Sequence, residues 1–121
     1  MRATIIPVTP FQQNCSLVWC PRTLSAAVID PGGDLEQILA AAQEEKVRIE
    51  KILLTHAHID HAGGTATLAK QLQVPVEGPH PGDKFWIDQM PEQGRTFGFP
   101  RCESFTPDRW LDDGDTVQVG D

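Results

Sequence analysis

Four side chains of the kinds that bind metal ions stand within a span of six residues. They follow the pattern His56-x-His58-x-Asp60-His61, which holds three of the four histidines in the chain. Imidazole and carboxylate groups are the ligands expected for Zn²⁺, and they also suit Fe and Mn. An ion held in this way lowers the pKa of a bound water to about 7, so hydroxide becomes available at neutral pH. The cluster therefore indicates a metal centre that performs hydrolysis.

The residues before the cluster predict how its side chains are positioned. The apolar run Ile52-Leu53-Leu54 ends a strand that looks buried on both faces. Open α/β sheets place their sites beyond the carboxyl ends of such strands. Residues two apart in an extended chain point the same way, so His56 and His58 are expected to bind one ion. Asp60 and His61 follow where the chain turns toward a helix, and they are expected to bind a second ion.

Four ligands do not complete two catalytic sites, because each catalytic Zn²⁺ keeps about three protein ligands and a water. The remaining histidine, His80, lies in a Pro-Gly loop and is expected not to be a ligand. Asp30 precedes Pro31-Gly32-Gly33, so it is either a simple turn residue or a partner that orients a ligating histidine. Asp60 has an alternative role as the N-cap of the following helix, and it can serve both purposes.

Composition narrows the class of partner. The chain has 121 residues, which suits one domain, and 10 basic against 17 acidic residues give a net charge of −7. Nucleic acids and anionic membrane surfaces are poor partners for an acidic chain without a basic cluster. No window approaches the roughly 20 apolar residues of a membrane span. The three cysteines cannot form a full disulfide framework, so we expect reduced thiols in a cytoplasmic protein.

Strand and helix patterns alternate along the chain, which predicts an α/β layered fold. Strands are expected at residues 3–8 (broken by Pro7), 15–20, 25–29, 49–55 and 74–76, with another opening at 117–119. One helix is expected from the N-cap Asp34 to about Glu45, and a second from Gly63-Gly64 through Leu72. Residues 79–100 are expected to form a packed loop with one helical turn over 83–89. Within that loop, Trp86, Phe97 and Phe99 are expected to pack rather than line a substrate cleft.

The metal motif, with its flanking residues, resembles a known family signature. Thr55-His56-Ala57-His58-Ile59-Asp60-His61-Ala62-Gly63-Gly64 is similar to the signature of the metallo-β-lactamase superfamily. The chain more narrowly resembles the small bacterial hydrolases of the glyoxalase II-like (hydroxyacylglutathione hydrolase-like) branch. Three further segments carry this narrower resemblance, and they are residues 10–18, 29–33 and 106–111.

The resemblance implies a fold and a set of ligands. It implies an αβ/βα sandwich, of which residues 1–121 would form the N-terminal part of a single domain. In such relatives, the residues that match His56 and His58 bind the first metal, and those that match Asp60 and His61 bind the second. Two divalent ions are expected, with Zn²⁺ the first choice and Fe or Mn as alternatives. The later ligands of the family have no match in this chain. We therefore expect the chain to be an incomplete and inactive fragment of the family fold.

The resemblance also implies a reaction, which is hydrolysis of a small-molecule thioester such as S-lactoylglutathione. Asp60 would then be catalytic, because it would orient the attacking water while binding metal. One alternative is a mononuclear iron persulfide dioxygenase of the same superfamily. Another is a non-catalytic metal-binding remnant. The oligomeric state is not indicated by any of these patterns.

Overall fold

Five strands form one mixed sheet in the computed structural model, which describes residues 1–9, 12–98 and 102–120. The strands are β1 Arg2–Val8, β2 Gln13–Trp19, β3 Ser25–Ile29, β4 Arg48–Leu53 and β5 Val76–Glu77. The helices are α1 Leu35–Glu45, α2 Ile59–Ala62, α3 Thr65–Leu72, α4 Lys84–Asp88 and α5 Met90–Phe97, with a 3₁₀ turn at Pro81–Asp83. The predicted α/β class is confirmed.

The order of the strands determines where the metal motif lies. Strands β1, β2 and β3 are antiparallel neighbours, whereas β3, β4 and β5 run parallel. Parallel neighbours need a crossover connection, and α1 and then α2 and α3 provide the two that are required. The carboxyl ends of β3 and β4 consequently lie side by side. The backbone N–H of Asp30, just after β3, donates to the carbonyl of Leu53 at 2.9 Å.

The two faces of the sheet bury different amounts of apolar surface. Val28 and Ile52 pack into the main core under the helices. Ala27 and Leu53 point to the other face, where they form a smaller cluster with Val119. This alternation follows from the two-residue period of a strand. The predicted burial of the apolar run from Ile52 to Leu54 on both faces is therefore confirmed, whereas Arg48 and Glu50 earlier in β4 are exposed.

Helix α1 begins where the sequence predicts, but its N-cap residue acts differently. Asp34 occupies the N-cap position with a φ of 49°, and its side chain makes no capping hydrogen bond. Its Oδ2 instead accepts from the backbone N–H of Thr9 at 2.8 Å. Ile38 and Ala42 carry the buried face of the helix onto the sheet. The side chain of Asp34 thus joins the loop after β1 to the start of α1.

Three sequence expectations about elements are wrong. β1 continues through Pro7, because a residue without an N–H is tolerated in a strand at the edge of a sheet. The predicted helical turn extends into two helices, α4 and α5, since Pro91 stands in the first turn of α5, where a helix accepts proline. Residues 117–119 do not form a strand, as no described strand lies beside them to complete the hydrogen-bond ladder.

All three cysteines are free, as the sequence analysis expects, and all three are buried. Burial raises the pKa of Cys15 to about 12, and the nearby charge of Asp30 adds to the effect. No helix among the described residues is long and apolar enough to cross a membrane.

Candidate metal centre

The four predicted ligands occupy the loop after β4 and the first turns of α2. His56 lies in the loop, and His58 stands at the N-cap position of α2 with extended backbone angles (φ −64°, ψ 148°). Asp60 and His61 are within the helix. The alternative that Asp60 is the N-cap is therefore wrong, because the helix already begins at Ile59.

The loop and the short helix bring these four side chains together. The ring centroids of His56 and His61 are 3.8 Å apart, and those of His56 and His58 are 4.9 Å apart. Oδ2 of Asp60 is 3.5 Å from Nε2 of His61. The tightest group of ligand-type atoms, all within 4.8 Å of one another, contains Asp30 together with His56 and His61. His58 and Asp60 are not members of that group, although the His58 ring lies beside the His56 ring and Asp60 lies beside His61.

The buried carboxylate of Asp30 accepts hydrogen bonds from the residues around the candidate site. Its Oδ1 accepts from the backbone N–H of Thr55 at 2.8 Å. Its Oδ2 accepts from the Thr55 hydroxyl and lies 3.0 Å from Nδ1 of His61. The residue is 5% exposed, so these contacts satisfy a carboxylate that water barely reaches. Asp30 therefore holds His61 in place, as one of the two sequence hypotheses has it.

Thr55 extends the same network to His56. Its hydroxyl oxygen lies 3.0 Å from Nδ1 of His56. Because the hydroxyl proton is donated to Asp30, the oxygen is left to accept from Nδ1–H of the histidine. His56 and His61 thus both use Nδ1 for orientation and keep the Nε2 lone pair for a ligand. This is the arrangement typical of metal-binding histidines, which donate their other ring N–H to a carboxylate or another acceptor.

The protonation state of His56 also suits a ligand. Burial lowers its pKa below the ordinary value of 6.5, and the neighbouring His61 lowers it further. Asp30 and Asp60 act in the opposite direction with less effect. The neutral imidazole is therefore favoured, and only the neutral form binds a metal ion.

The spacing of the donor atoms provides a test of whether a metal ion fits. Two ligands at 2.0–2.2 Å from one tetrahedral Zn²⁺ lie roughly 3.3–3.6 Å apart. The distance of 3.5 Å between Oδ2 of Asp60 and Nε2 of His61 falls in that interval. This pair of residues therefore fits a shared divalent ion.

Hydrogen bonds to backbone groups hold the loop after β3, the loop after β4 and helix α2 in position. The side-chain amide of Gln13 donates to the carbonyls of Asp30 (3.1 Å) and Asp60 (3.0 Å). The backbone N–H of Gly64 donates to the carbonyl of Pro31 at 2.9 Å. On the opposite side, Oδ2 of Asp83 accepts from the backbone N–H of Ala57 at 3.0 Å.

Sequence reasoning missed the roles of Gln13, Thr55 and Asp83. The one available signal concerned the Asp30 network, since Asp30 follows a strand predicted just before the strand that carries the motif. Parallel pairing of those strands would bring Asp30 beside Thr55. Nothing in the sequence pattern pointed to Gln13 or Asp83.

His80 lies outside the cluster, in agreement with the prediction. Its Nε2 is 2.9 Å from Oδ1 of Asp112, and its Nδ1 accepts from the backbone N–H of Gly82 at 2.9 Å. Both ring nitrogens are therefore occupied by partners away from the metal motif.

The expectation that Trp86 and Phe97 only pack is wrong. Their side chains are 36% and 49% exposed, and both line a cleft of about 380 Å³ that also contains His58 and Asp60. The two helices that replace the predicted loop turn these rings outward, because other residues of the helices fill the core. Phe99 lies outside the described residues.

Comparison with known proteins identifies the family to which this chain belongs. Residues 8–121 match the family described as the Metallo-beta-lactamase superfamily. The chain belongs to the metallo-β-lactamase superfamily. The predicted superfamily and its α/β fold are confirmed.

Relatives within the superfamily share extensive sequence with this chain. Hydroxyacylglutathione hydrolase GloC of Haemophilus influenzae is 43% identical over 111 residues, which are 92% of this chain and 52% of that protein. An uncharacterized protein of Aquifex aeolicus is 37% identical over 117 residues, or 97% of this chain and 54% of that protein. The chain thus spans about half the length of these curated relatives.

Solved structures of the superfamily agree with this fold. The protein TTHA1623, in a di-iron-bound form, superposes with a TM-score of 0.82 at 32% identity, over 94% of this chain and 56% of that one. The BLEG-1 B3 metallo-β-lactamase gives a TM-score of 0.81 at 27% identity, over 98% of this chain and 57% of that one. ETHE1 from Myxococcus xanthus, at 21% identity and a TM-score of 0.70, is similar in fold alone.

Proposed function

We propose that this chain belongs to a metal-dependent hydrolase that cleaves a small thioester of the S-lactoylglutathione kind. The observation that carries the proposal is the convergence of three histidines and an aspartate at one edge of the sheet, with Nε2 of two histidines left for a ligand. The name of the Haemophilus influenzae relative, a hydroxyacylglutathione hydrolase, supports the choice of thioester.

In this proposal, His56, His58, Asp60 and His61 hold two divalent ions, with Zn²⁺ preferred over Fe or Mn. The ions would supply Lewis-acid chemistry and lower the pKa of a water toward neutrality. We assign Asp30 a supporting role in this proposal, because its oxygens accept hydrogen bonds from Thr55 and lie against Nδ1 of His61. Its task is to hold His61, and through Thr55 also His56, in a single ring orientation.

Asp60 is the proposed catalytic residue. Its carboxylate is half-buried beside His61, where an oxygen that is not bonded to metal can accept a hydrogen bond from the attacking water and orient it. The water oxygen adds to the thioester carbonyl carbon, and the C–S bond then breaks to give a carboxylic acid and a thiol. A thiolate is a good leaving group, so no strong general acid is required.

An Asp60→Ala variant of the full-length protein tests this role. We expect hydrolysis of S-lactoylglutathione, followed by the free thiol released, to fall by more than about 100-fold, because loss of a ligand exceeds the 10–100-fold cost of losing its supporting partner. Asp113→Ala, at an exposed aspartate in a turn, is the matched control and should keep wild-type turnover. Wild-type turnover in the Asp60→Ala variant would contradict the proposal.

Metal content separates the proposal from its alternatives. About two divalent ions per full-length chain, together with thioester hydrolysis, is the expected result. A single iron per chain, with oxygen consumed in the presence of a glutathione persulfide, would indicate the persulfide dioxygenase instead. Metal binding without turnover of any thioester or persulfide would indicate a non-catalytic protein.

A further inference from the structure

A cleft of about 380 Å³ opens directly beside the candidate metal centre, between α2 and the pair α4 and α5. Its lining residues are His58, Ile59, Asp60, Trp86, Gln93 and Phe97. The cleft therefore has two parts of different chemistry. One end is formed by two of the proposed ligands, and the other is formed by aromatic and aliphatic side chains with a single uncharged amide.

The aromatic wall of the cleft is held in a fixed position. The ring of Trp86 packs edge-on to the ring of His58, with centroids 4.9 Å apart. Helices α4 and α5 are anchored from below by Ile87 and Met90, which are 1% and 0% exposed. Because these anchors fix both helices, the outward direction of Trp86 and Phe97 does not result from loose packing. Clustered exposed apolar side chains of this kind mark binding sites.

The charges of the lining residues indicate which part of a glutathione thioester, the acyl group or the glutathione group, can bind in the cleft. Glutathione carries two carboxylates, and a site for it needs cationic partners. No Lys or Arg lines the cleft among the residues that the structure describes. Lys84, on α4, is not among the lining residues, and its ammonium pairs with the carboxylate of Asp88 at 2.8 Å. An apolar group therefore fits this cleft better than the glutathione group does.

We propose that this cleft binds the acyl group of the substrate and selects thioesters whose acyl group is apolar and several carbons long. The proposal rests on the thioesterase function proposed above, with a longer and less polar acyl group than lactoyl. Trp86, Phe97 and Ile59 are the specificity-determining residues, because they form the apolar wall beyond His58 and Asp60. The amide of Gln93 is the one neutral hydrogen-bonding group that an acyl substituent would meet there.

Acyl chain length tests the proposal directly. The full-length, metal-loaded protein is assayed with acetyl-, butyryl- and hexanoyl-glutathione, which share one thiol. We expect kcat/KM to rise by roughly fourfold per added CH₂ group, the factor that corresponds to burying one methylene. Trp86→Ala and Phe97→Ala should flatten this dependence on chain length, because each removes part of the apolar wall.

Two further variants control for a general loss of structure. Phe85→Ala removes an aromatic ring of the same helix that is 61% exposed and does not line the cleft, so the dependence on chain length should persist. Trp86→Phe keeps an aromatic wall and should retain most of the dependence. Equal kcat/KM for all three thioesters in the wild-type protein, or unchanged dependence in Trp86→Ala, would overturn the acyl cleft and leave the hydrolase proposal standing.

A binding measurement covers the case in which no thioester is hydrolysed, which would refute the proposed function itself. Hexanoate, the acid that the longest substrate would release, is titrated while tryptophan fluorescence is recorded. Quenching in the wild-type protein that disappears in Trp86→Phe supports the cleft as a site for an apolar acyl group. Absence of quenching in the wild-type protein overturns it.

Discussion

Asp30 links His56 and His61, two of the proposed ligands, through a hydrogen-bond network. The residues of this network are far apart in the sequence, so no short sequence motif contains them all. The carboxylate of Asp30 contacts Thr55 and His61, which follow it by 25 and 31 residues. The carboxylate favours one ring nitrogen of each histidine as the open one, so its loss should weaken metal binding through their orientation.

An Asp30→Asn variant isolates this effect. The amide keeps the shape of the side chain but presents N–H₂ where the Thr55 hydroxyl and His61 Nδ1–H need an acceptor. We expect the affinity for Zn²⁺ to fall by about 10–100-fold, measured by competition with a chelator. Asp34→Asn is the matched control, because Asp30 and Asp34 both have a positive φ (58° and 49°), but the carboxylate of Asp34 accepts from the loop after β1. Equal affinities in the two variants would contradict the role of Asp30.

The sequence predicts that the four proposed ligands lie together, but it does not predict which residues hydrogen-bond to them or to their backbone. His56, His58, Asp60 and His61 are close in the chain, so their spacing alone predicts that they converge. Gln13 and Asp83 act on the site from 47 and 26 residues away. Contacts over such distances depend on which strands become neighbours, and the pattern of residue types does not contain that information.

At the scale of elements, the loop after β3 and the helix α2 touch through their backbones. A Cβ atom added to Gly32 would overlap the carbonyl oxygen of Asp60. The same atom at Gly33 would meet only the Cγ2 methyl of Thr9, at 3.1 Å. Close approach, rather than an unusual φ angle, is therefore the reason that position 32 requires glycine.

Gly32→Ala should accordingly displace α2 and the ligands it carries. We expect a loss of about 1–3 kcal/mol in the free energy of unfolding, as for other overpacked positions, together with weaker Zn²⁺ binding. Gly33→Ala should cost less than about 1 kcal/mol, because a methyl group can give way. Urea denaturation and chelator competition measure the two effects. Similar values for both variants would show that the close approach does not matter.

Glu77 joins β5 to the strand beside it and to the segment that follows. Its carboxylate is 2.7 Å from Nζ of Lys51 on β4 and 3.1 Å from Nη1 of Arg109. Burial alone would raise the pKa of Glu77, but the hydrogen bond and charge of Lys51, and then those of Arg109, outweigh it and lower the pKa below 4.5. A lowered pKa means that the unfolded state binds the proton more readily.

The stability that Glu77 contributes is therefore present above pH 4.5 and is lost as the pH falls through the lower folded pKa. Glu77→Gln should cost about 1–2 kcal/mol at pH 7, since it leaves the half-buried ammonium of Lys51 without its carboxylate, and should cost less at acid pH. Asp88→Asn, which breaks the exposed pair with Lys84, should cost at most about 0.5 kcal/mol. Urea midpoints between pH 3 and 7 provide the test, and a cost for Glu77→Gln that does not vary with pH would contradict it.

Elements with a clear period were predicted, whereas those defined by their neighbours were not. β2, β3, β4 and α1 lie close to their predicted bounds because alternation and helical spacing are properties of the segment itself. Most of helices α4 and α5 was not predicted, because Pro91 and Gly94 are residue types typical of loops. Burial of Ile87 and Met90 in the folded chain stabilises these helices, and a local pattern does not show it. The predicted strand at 117–119 failed for the converse reason, as a strand needs a partner.

At the scale of the whole molecule, the sheet divides the apolar residues unequally. The main core lies on the side of the helices, and the opposite face of the described sheet carries the smaller cluster of Ala27, Leu53 and Val119, with the partly buried Val18 and Ile29 against it. Neighbouring residues of β4 therefore sample two environments, with Ile52 in the main core at 0% exposure and Leu53 in the small cluster at 8%.

Truncation of these two side chains should have unequal costs. Ile52→Ala should lower the free energy of unfolding by about 3–5 kcal/mol, since the core around it cannot collapse into the cavity. Leu53→Ala should cost about 2 kcal/mol, at the lower end for such a change, because fewer atoms surround it. Urea denaturation of this chain with a shared m-value measures both. Equal costs would mean that the two faces are packed alike.

The long separation between Asp30, Thr55 and His61 also sets an order of events in time. Closing such loops costs entropy before any contact is gained, so contacts between distant residues form late in folding. During synthesis, Asp30 emerges well before the residues it will hold, and the pair β3–β4 must assemble before His61 meets its carboxylate. Binding of a metal ion at the candidate centre is therefore expected to follow assembly of the sheet rather than to nucleate it.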